Sequence, residues 1–206
     1  MSDLPGGRWA ALLVGRHWPG SPALAAVSAA AASRRAVSAS FDGYADTLRS
    51  VAGTVLSDQE GATATAVRKS FLDGAEHARG VAERNDAKQE ALSQARRCAS
   101  ELRCALAEIA ERGARQIDAI IAGTGSGSEK TAGILAVVSA SHAEADTRTA
   151  LCLGDVYGHI QSVLDSCGQQ ISARQFAHAQ GVTPQTPHRM PASDLEYRVR
   201  NLLDLQ

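Results

Sequence analysis

The sequence predicts an all-α protein, an elongated helical bundle built on a long central helix with antiparallel helices on each half. The first observation is a stripe of small and apolar residues, spaced alternately three and four apart, from Val67 to Ile120. This period is typical of one continuous helix with a seam against its neighbours. At about 1.5 Å per residue, the helix is expected to be about 80–95 Å long. The second observation is composition: 44% of the 206 residues are hydrophobic but only 4% are aromatic. Alanine-rich helices of this kind are stabilised by many shallow contacts.

Turn residues divide the chain. Residues 1–20 contain proline–glycine breaks and are predicted to be an irregular N-terminal segment, and residues 21–181 are predicted to form the bundle. Its first helix begins at Ser21-Pro22 and ends near Leu56, because proline is favourable in the first turn of a helix. The core is expected to be thickest near residues 72–95, where all three long helices overlap.

The second and third helices have caps of their own. Asp58 is predicted to cap the long helix, and Ser128 is predicted to cap a third helix over about 129–180. That helix contains Gly154 and Gly158, and a break near either glycine is consistent with the pattern. Phe41, Tyr44 and Phe71 are predicted to lie in the core of the first hairpin.

Residues 182–192 are predicted to be a proline-containing linker, and residues 193–206 a short amphipathic helix opened by a Ser193–Glu196 capping box. Either this helix docks on the bundle or its apolar face binds a partner. The residues of that face are Leu195, Val199, Leu202 and Leu203. Trp9 and Trp18 are also candidate partner anchors, since aromatic anchors concentrate binding energy; the alternative is that they pack over one end of the bundle.

Charge and hydropathy exclude several functions. The chain has 21 basic and 22 acidic residues, without the basic stripe that binding to nucleic acid requires. Because no run of about eighteen apolar residues occurs, no membrane-spanning helix is expected. The apolar run Trp9–Val14 is too short for a cleavable signal peptide. We therefore expect a protein that is either secreted without such a peptide or cytoplasmic.

The candidate chemical sites are few. In a hairpin that reverses at residues 125–126, Cys98 and Cys152 lie almost equally far from the turn and should face each other. They form a disulfide if the protein matures in an oxidising compartment, and otherwise fill an interface as small core residues. Two pairs have i,i+4 spacing, His142/Asp146 and Asp155/His159. The first lacks a third ligand and the pairs are thirteen residues apart, so no metal site is predicted. No catalytic residue or cofactor site is predicted either.

Two turns carry a family resemblance. Trp18-Pro19-Gly20 is a Trp-x-Gly sequence ahead of the first helix, and Gln59-Glu60-Gly61 is a short x-x-Gly reversal between two alanine-rich helices. Over residues 18–122 the chain resembles the helical substrates of type VII secretion in actinobacteria, the WXG100, PPE and Esp-like proteins. The tyrosine followed four residues later by Asp or Glu that serves as that family's export signal is absent from this sequence.

The resemblance implies a non-enzymatic interaction protein of type VII secretion, a secreted substrate or an accessory factor. Its mechanism would be recognition of a helical protein partner or of a second copy of the chain. The alternative is an intracellular coiled-coil protein with a structural or regulatory role. A membrane-active oligomer is disfavoured, because the tip at residues 123–128 consists of glycine, serine and threonine.

Overall fold

The computed structural model describes residues 3–182 and 192–204, and within them every regular element is helical. The all-α prediction is confirmed. The elements in chain order are α1 (Ala10–Leu13), a single 3-10 turn (Gly15–His17), α2 (Ser21–Gly53), α3 (Ala62–Ala122), α4 (Gly127–Ser166), α5 (Ala173–Ala179) and α6 (Ala192–Asp204). No helix of the described ranges is long and apolar enough to cross a membrane.

The long helix α3 has 61 residues without interruption, as the stripe predicted. Gly61 has a φ of 101° and precedes its first residue, so the chain turns there and not at Asp58. The predicted Asp58 cap is therefore wrong. Arg68 closes the reversal, since its guanidinium donates to the carbonyl oxygen of Leu56 at 2.6 Å.

Helix α4 begins with a capping box formed by Ser126 and Glu129. The main-chain N–H and the hydroxyl of Ser126 each donate to Glu129 Oε2 at 2.8 Å, and the Glu129 N–H donates back to Ser126 Oγ at 3.3 Å. These bonds satisfy donors that a helix start leaves free. Ser128 lies inside the first turn, so the prediction that it caps α4 is wrong.

The third helix ends earlier than predicted. It is continuous through Gly154 and Gly158 and stops at Ser166, and Gly168 follows with a φ of 67°. A separate helix, α5, begins at Ala173, whose N–H donates to Gln161 Oε1 at 2.7 Å. The cause of the break is the left-handed backbone at Gly168, which ends a helix at little cost for glycine.

The chain divides into two compact units. Unit 2 comprises Ala25–Arg96 and Val156–Gln175. In it α2 runs antiparallel to the first part of α3, as two contacts show: Ser38 Oγ donates to the Ala82 carbonyl at 3.1 Å, and Leu48 lies against Gly74. The buried cluster of this hairpin consists of alanines, namely Ala45, Ala75 and Ala78. Phe41 and Leu48 are partly buried and pack against this cluster.

Unit 1 comprises Met1–Leu24, Arg97–Asp155 and Phe176–Gln206. In it the last part of α3 runs antiparallel to α4, since Ile120 packs against Gly133 and Arg112 forms an ion pair with Glu144. The larger buried cluster lies here, and not near residues 72–95 as predicted. Its largest fully buried side chains are Trp9, Leu13, Val14, Leu106, Ile117, Ile134, Val138 and Val199.

Candidate functional site

Residues 8–18, here called the docked segment, pack into the α3–α4 hairpin of unit 1. Trp9 is 1% exposed, and Leu13 and Val14 are fully buried. Leu13 fits over Gly113 of α3, where a β-carbon would lie 2.7 Å from Leu13 Cδ2. The segment contains α1 and a 3-10 turn, so the prediction of an irregular structure there is wrong. The cause is tertiary: a six-residue apolar run is too short to be stable alone but is helical where a core receives it.

Two histidines fasten this segment to α4. His142 Nε2 donates to the carbonyl oxygen of Leu12 at 2.6 Å. His17 Nε2 lies 3.1 Å from Asp146 Oδ1, and its Nδ1 lies 3.2 Å from Thr149 Oγ1. The His142/Asp146 pair singled out in the sequence thus holds main-chain and side-chain groups of the docked segment. The pattern gave no sign of His17, which lies far away in the chain.

Burial sets the protonation of His17. The loss of water around the imidazole lowers the pKa of His17, the neighbouring His142 lowers it further, and the Asp146 carboxylate opposes both by raising it. The folded state therefore favours the neutral ring, with Asp146 accepting from Nε2–H.

Charged side chains hold the tryptophans. Asp118 Oδ1 accepts from the Trp9 indole N–H at 3.2 Å and from Arg8 at 3.0 Å. Arg103 stacks over the Trp18 ring with its guanidinium carbon 4.6 Å from the ring centroid, and it also contacts the Asp3 carboxylate at 3.3 Å. Hydrogen bonds from Ser21, and to a lesser extent the charge of Arg103, lower the pKa of Asp3.

These contacts decide between the two interpretations of the tryptophans. Trp9 is a core residue, which corrects its prediction as a free partner anchor, and Trp18 is half-buried beneath Arg103. The terminal helix α6 docks in the same way: Leu195 and Val199 belong to the buried cluster that contains Trp9. The side chains of Leu202 and Leu203 lie outside the described part of the structure.

Cys98 of α3 and Cys152 of α4 line one pocket of about 150 Å³, together with Glu101, Arg148 and Asp155. Both are half-buried free thiols in this structure. Burial is the main cause that raises the pKa of each thiol, that of Cys152 to about 11, and the nearby carboxylates add to the effect. The structure brings into one pocket the two cysteines that the sequence predicts to face each other.

No group of three or more His, Cys, Asp or Glu side chains within residues 3–182 and 192–204 is arranged to hold a metal ion. Asp155 lines the cysteine pocket, whereas its i,i+4 neighbour His159 does not. What this part of unit 1 offers chemically is therefore a pair of thiols beside carboxylates.

The α2–α3 hairpin of unit 2 exposes large apolar side chains. Tyr44 is 55% exposed, which corrects its prediction as a core residue, whereas Phe41 and Phe71 are half-buried. Val55 is 65% exposed and lies in the turn that follows α2. Val67 and Leu72 of α3 are also exposed.

The family resemblance was based on two turns. In the structure, Gln59–Gly61 lies in the connection between α2 and α3, and Trp18–Gly20 directly precedes α2.

A comparison with known proteins found a relative from a bacterium. The chain is 31% identical, over 203 residues and 97% of its length, to the uncharacterized protein Rv2082 of Mycobacterium tuberculosis. It spans 28% of the length of that relative. No family model matches the chain, and no solved structure matches it significantly. The relative shows that sequences of this pattern occur in an actinobacterium, within a longer protein.

Proposed function

We propose that the chain is a non-enzymatic helical interaction protein of type VII secretion, a secreted substrate or accessory factor that binds a helical partner. The observation that carries this proposal is the α2–α3 hairpin, which joins two alanine-packed helices at Gln59–Gly61 and leaves Tyr44 and Val55 in solvent. Helices in contact through alanines lie close together and bury little area, so their outer faces remain available to a further helix.

Exposed apolar residues are common singly, but several on one hairpin favour an interaction surface. The exposed apolar residues of the hairpin lie on α2 (Tyr44), in the turn after it (Val55) and on two sides of α3 (Val67 and Leu72). A partner helix would recognise such a surface with apolar side chains at i, i+3, i+4 and i+7. The mycobacterial organism of the relative is consistent with the bacterial group in which the resembling proteins act.

Photocrosslinking in living cells tests the partner. A photoreactive phenylalanine is placed at Tyr44 or Val55 of the full chain, and at Leu151 as the matched control, because Leu151 is 60% exposed but belongs to unit 1. The proposal expects one adduct with a helical protein from positions 44 and 55 and none from position 151. Equal labelling at all three positions, or adducts only with unrelated abundant proteins, would contradict it.

Fractionation tests the link to secretion independently. The chain is expressed in an actinobacterial host with a type VII system, and culture filtrate and cytosol are compared with and without the secretion ATPase. A secreted substrate is expected in the filtrate only when the ATPase works, with a cytosolic marker absent from that fraction. An accessory factor is expected to stay inside but to crosslink through Tyr44 to a secreted helical protein. Cytosolic recovery with no such adduct would favour the coiled-coil alternative.

A further inference from the structure

We propose that Cys98 and Cys152 are a disulfide-forming pair that ties α3 to α4 when the chain meets an oxidant of the disulfide class. The proposal does not depend on the function proposed above. It begins with the register of the α3–α4 hairpin, which is fixed on one side of the pair by contacts such as Ile120 with Gly133 and Gly113 with Ser141. Continued along the two helices, the same register sets Cys98 about one helical turn from the level of Cys152 on the facing helix, and both line one pocket.

The pocket supplies room for the bond to form. Its volume of about 150 Å³ is bounded by small or aliphatic side chains as well as by the charged ones named above; the former include Leu102, Ala105 and Leu151. A cysteine side chain has a single rotatable bond to its sulfur, so a change of rotamer moves the sulfur without moving the helix backbone. A disulfide needs β-carbons about 3.5–4.5 Å apart, a distance that small residues at a close helix interface allow.

The other two cysteines lack this arrangement. Cys104 lies on α3 but is exposed and does not line the pocket. Cys167 belongs to unit 2, whereas Cys98 and Cys152 both belong to unit 1. The structure therefore offers one specific pair and two cysteines that serve as internal controls.

The surroundings of the pair determine how fast it reacts. Burial raises the pKa of both thiols, and Cys152, with a pKa of about 11, is the one with the large shift. Because the thiolate is the nucleophile, Cys98 is the better first attacker and Cys152 the resolving thiol. Thiols of high pKa are also poor leaving groups, so the disulfide, once formed, is expected to be reduced slowly.

The reaction is two successive exchanges. The Cys98 thiolate attacks one sulfur of a small disulfide, which forms a mixed disulfide and releases the first small thiolate. Cys152 then loses its proton and attacks the Cys98 sulfur, which forms the protein disulfide and releases the second small thiolate. The protein loses two electrons and two protons, and the oxidant takes up both to become two thiols.

The test uses the purified full chain with oxidised glutathione as the probe. After acid quenching, remaining thiols are alkylated, and the unreduced protein is digested with trypsin and analysed by mass spectrometry. Cleavage after Arg97 and Arg103 isolates Cys98 from Cys104, but the peptide from Thr149 to Arg174 contains both Cys152 and Cys167. A Cys167→Ser background therefore makes the assignment unique.

The expected result is a crosslinked peptide pair that contains Cys98 and Cys152. Cys98→Ser and Cys152→Ser are expected to abolish the crosslink, and Cys104→Ser to leave it unchanged. Helical circular dichroism of each variant shows that it is folded. In the parent, reduction of this bond by dithiothreitol is expected to be slower than reduction of a glutathione adduct at Cys104.

Three outcomes would overturn the proposal. One is that Cys98 and Cys152 stay fully alkylatable while Cys104 takes up glutathione. Another is a glutathione adduct at Cys98 that persists without conversion to the protein disulfide. The third is tight binding of Zn²⁺ alone that blocks alkylation of both thiols and prevents the crosslink, which would make the pair a metal site.

Discussion

A β-carbon placed on Gly113 would lie 2.7 Å from Leu13 Cδ2 and 3.1 Å from Ser141 Oγ. Leu13 is fully buried, so it cannot swing out into solvent to make room. The missing side chain of Gly113 is therefore what allows the docked segment to approach α3. This relationship joins a residue of the docked segment to the C-terminal part of the long helix, and it can be tested directly.

Gly113→Ala is expected to destabilise the protein by about 1–3 kcal/mol, because the overlap with Leu13 outweighs the gain in helix propensity. The matched control is Gly154→Ala on α4, where nothing lies within 4 Å of the added carbon. That change should stabilise the chain by up to about 1 kcal/mol. Urea unfolding followed by tryptophan fluorescence measures both; a Gly113→Ala variant as stable as its control would refute the tight contact.

Acidification is expected to weaken the docking of the same segment. The pKa of His17 in the folded protein lies below its ordinary value of 6.5, so the unfolded chain binds more protons than the folded one. The contribution of neutral His17 is therefore complete above about pH 6.5 and is lost as the pH falls through the folded pKa. His142 and Asp146 are the charged or titratable groups that act on His17.

Urea midpoints measured from about pH 7.5 down to about pH 5.5, above and below the ordinary histidine pKa, are expected to decrease. His17→Gln should flatten this dependence, because glutamine keeps hydrogen-bonding capacity without the titration. His178→Gln is the control, since His178 lies in the last turn of α5 and is exposed. A steeper pH dependence in His17→Gln than in the parent would contradict the assignment.

The Ser126 cap is predicted to stabilise α4. Ser126→Ala removes the hydroxyl that accepts from Glu129 N–H and donates to its carboxylate, and it should cost about 1 kcal/mol of stability. The hydrogen bonds from Ser126 lower the pKa of Glu129, so this pKa should rise towards its ordinary value in the variant. Ser128→Ala is the control, and a change within about 0.5 kcal/mol is expected there. Equal losses in the two variants would show that the box contributes nothing specific.

Closure of the Cys98–Cys152 disulfide is predicted to raise the free energy of unfolding by about 3–5 kcal/mol, because the bond closes a long loop of the unfolded chain. Chemical denaturation of the oxidised parent, with and without a reductant, measures the difference. The Cys98→Ser variant should show no effect of reductant. An oxidised parent less stable than the reduced one would mean that the bond distorts the α3–α4 interface.

The long helices could be predicted from the sequence because each has an apolar pattern and turn residues of its own. The stripe from Val67 to Ile120 defines α3, and the glycines near residues 61 and 123 delimit it. The position of one turn was enough to predict that Cys98 and Cys152 lie near each other on facing helices, although the observed register offsets them by about one helical turn. Local caps were predicted less well, since serine or aspartate occurs at several neighbouring positions and only the hydrogen-bond geometry selects Ser126 over Ser128.

The docked segment could not be predicted from local pattern. Pro5, Pro19 and the glycines beside them indicate irregular chain, and Trp9–Val14 is too short for helical periodicity to appear. The available signal was its apolarity: a run of tryptophan, alanine, leucine and valine is costly to leave in water. His17 and Asp146 are in contact although they are distant in the chain. Residue spacing within a single helix cannot predict such a contact.

The composition of the buried cluster in unit 1 also has a consequence for synthesis. Trp9 and Val199 share that cluster, so the ribosome releases one of them long before the other. Until Val199 has emerged, α6 cannot pack on the rest of the cluster, and the buried cluster around Trp9 is incomplete. Unit 2 needs nothing beyond Gln175, so the growing chain can complete it first, and a cellular chaperone would find its apolar target in the docked segment.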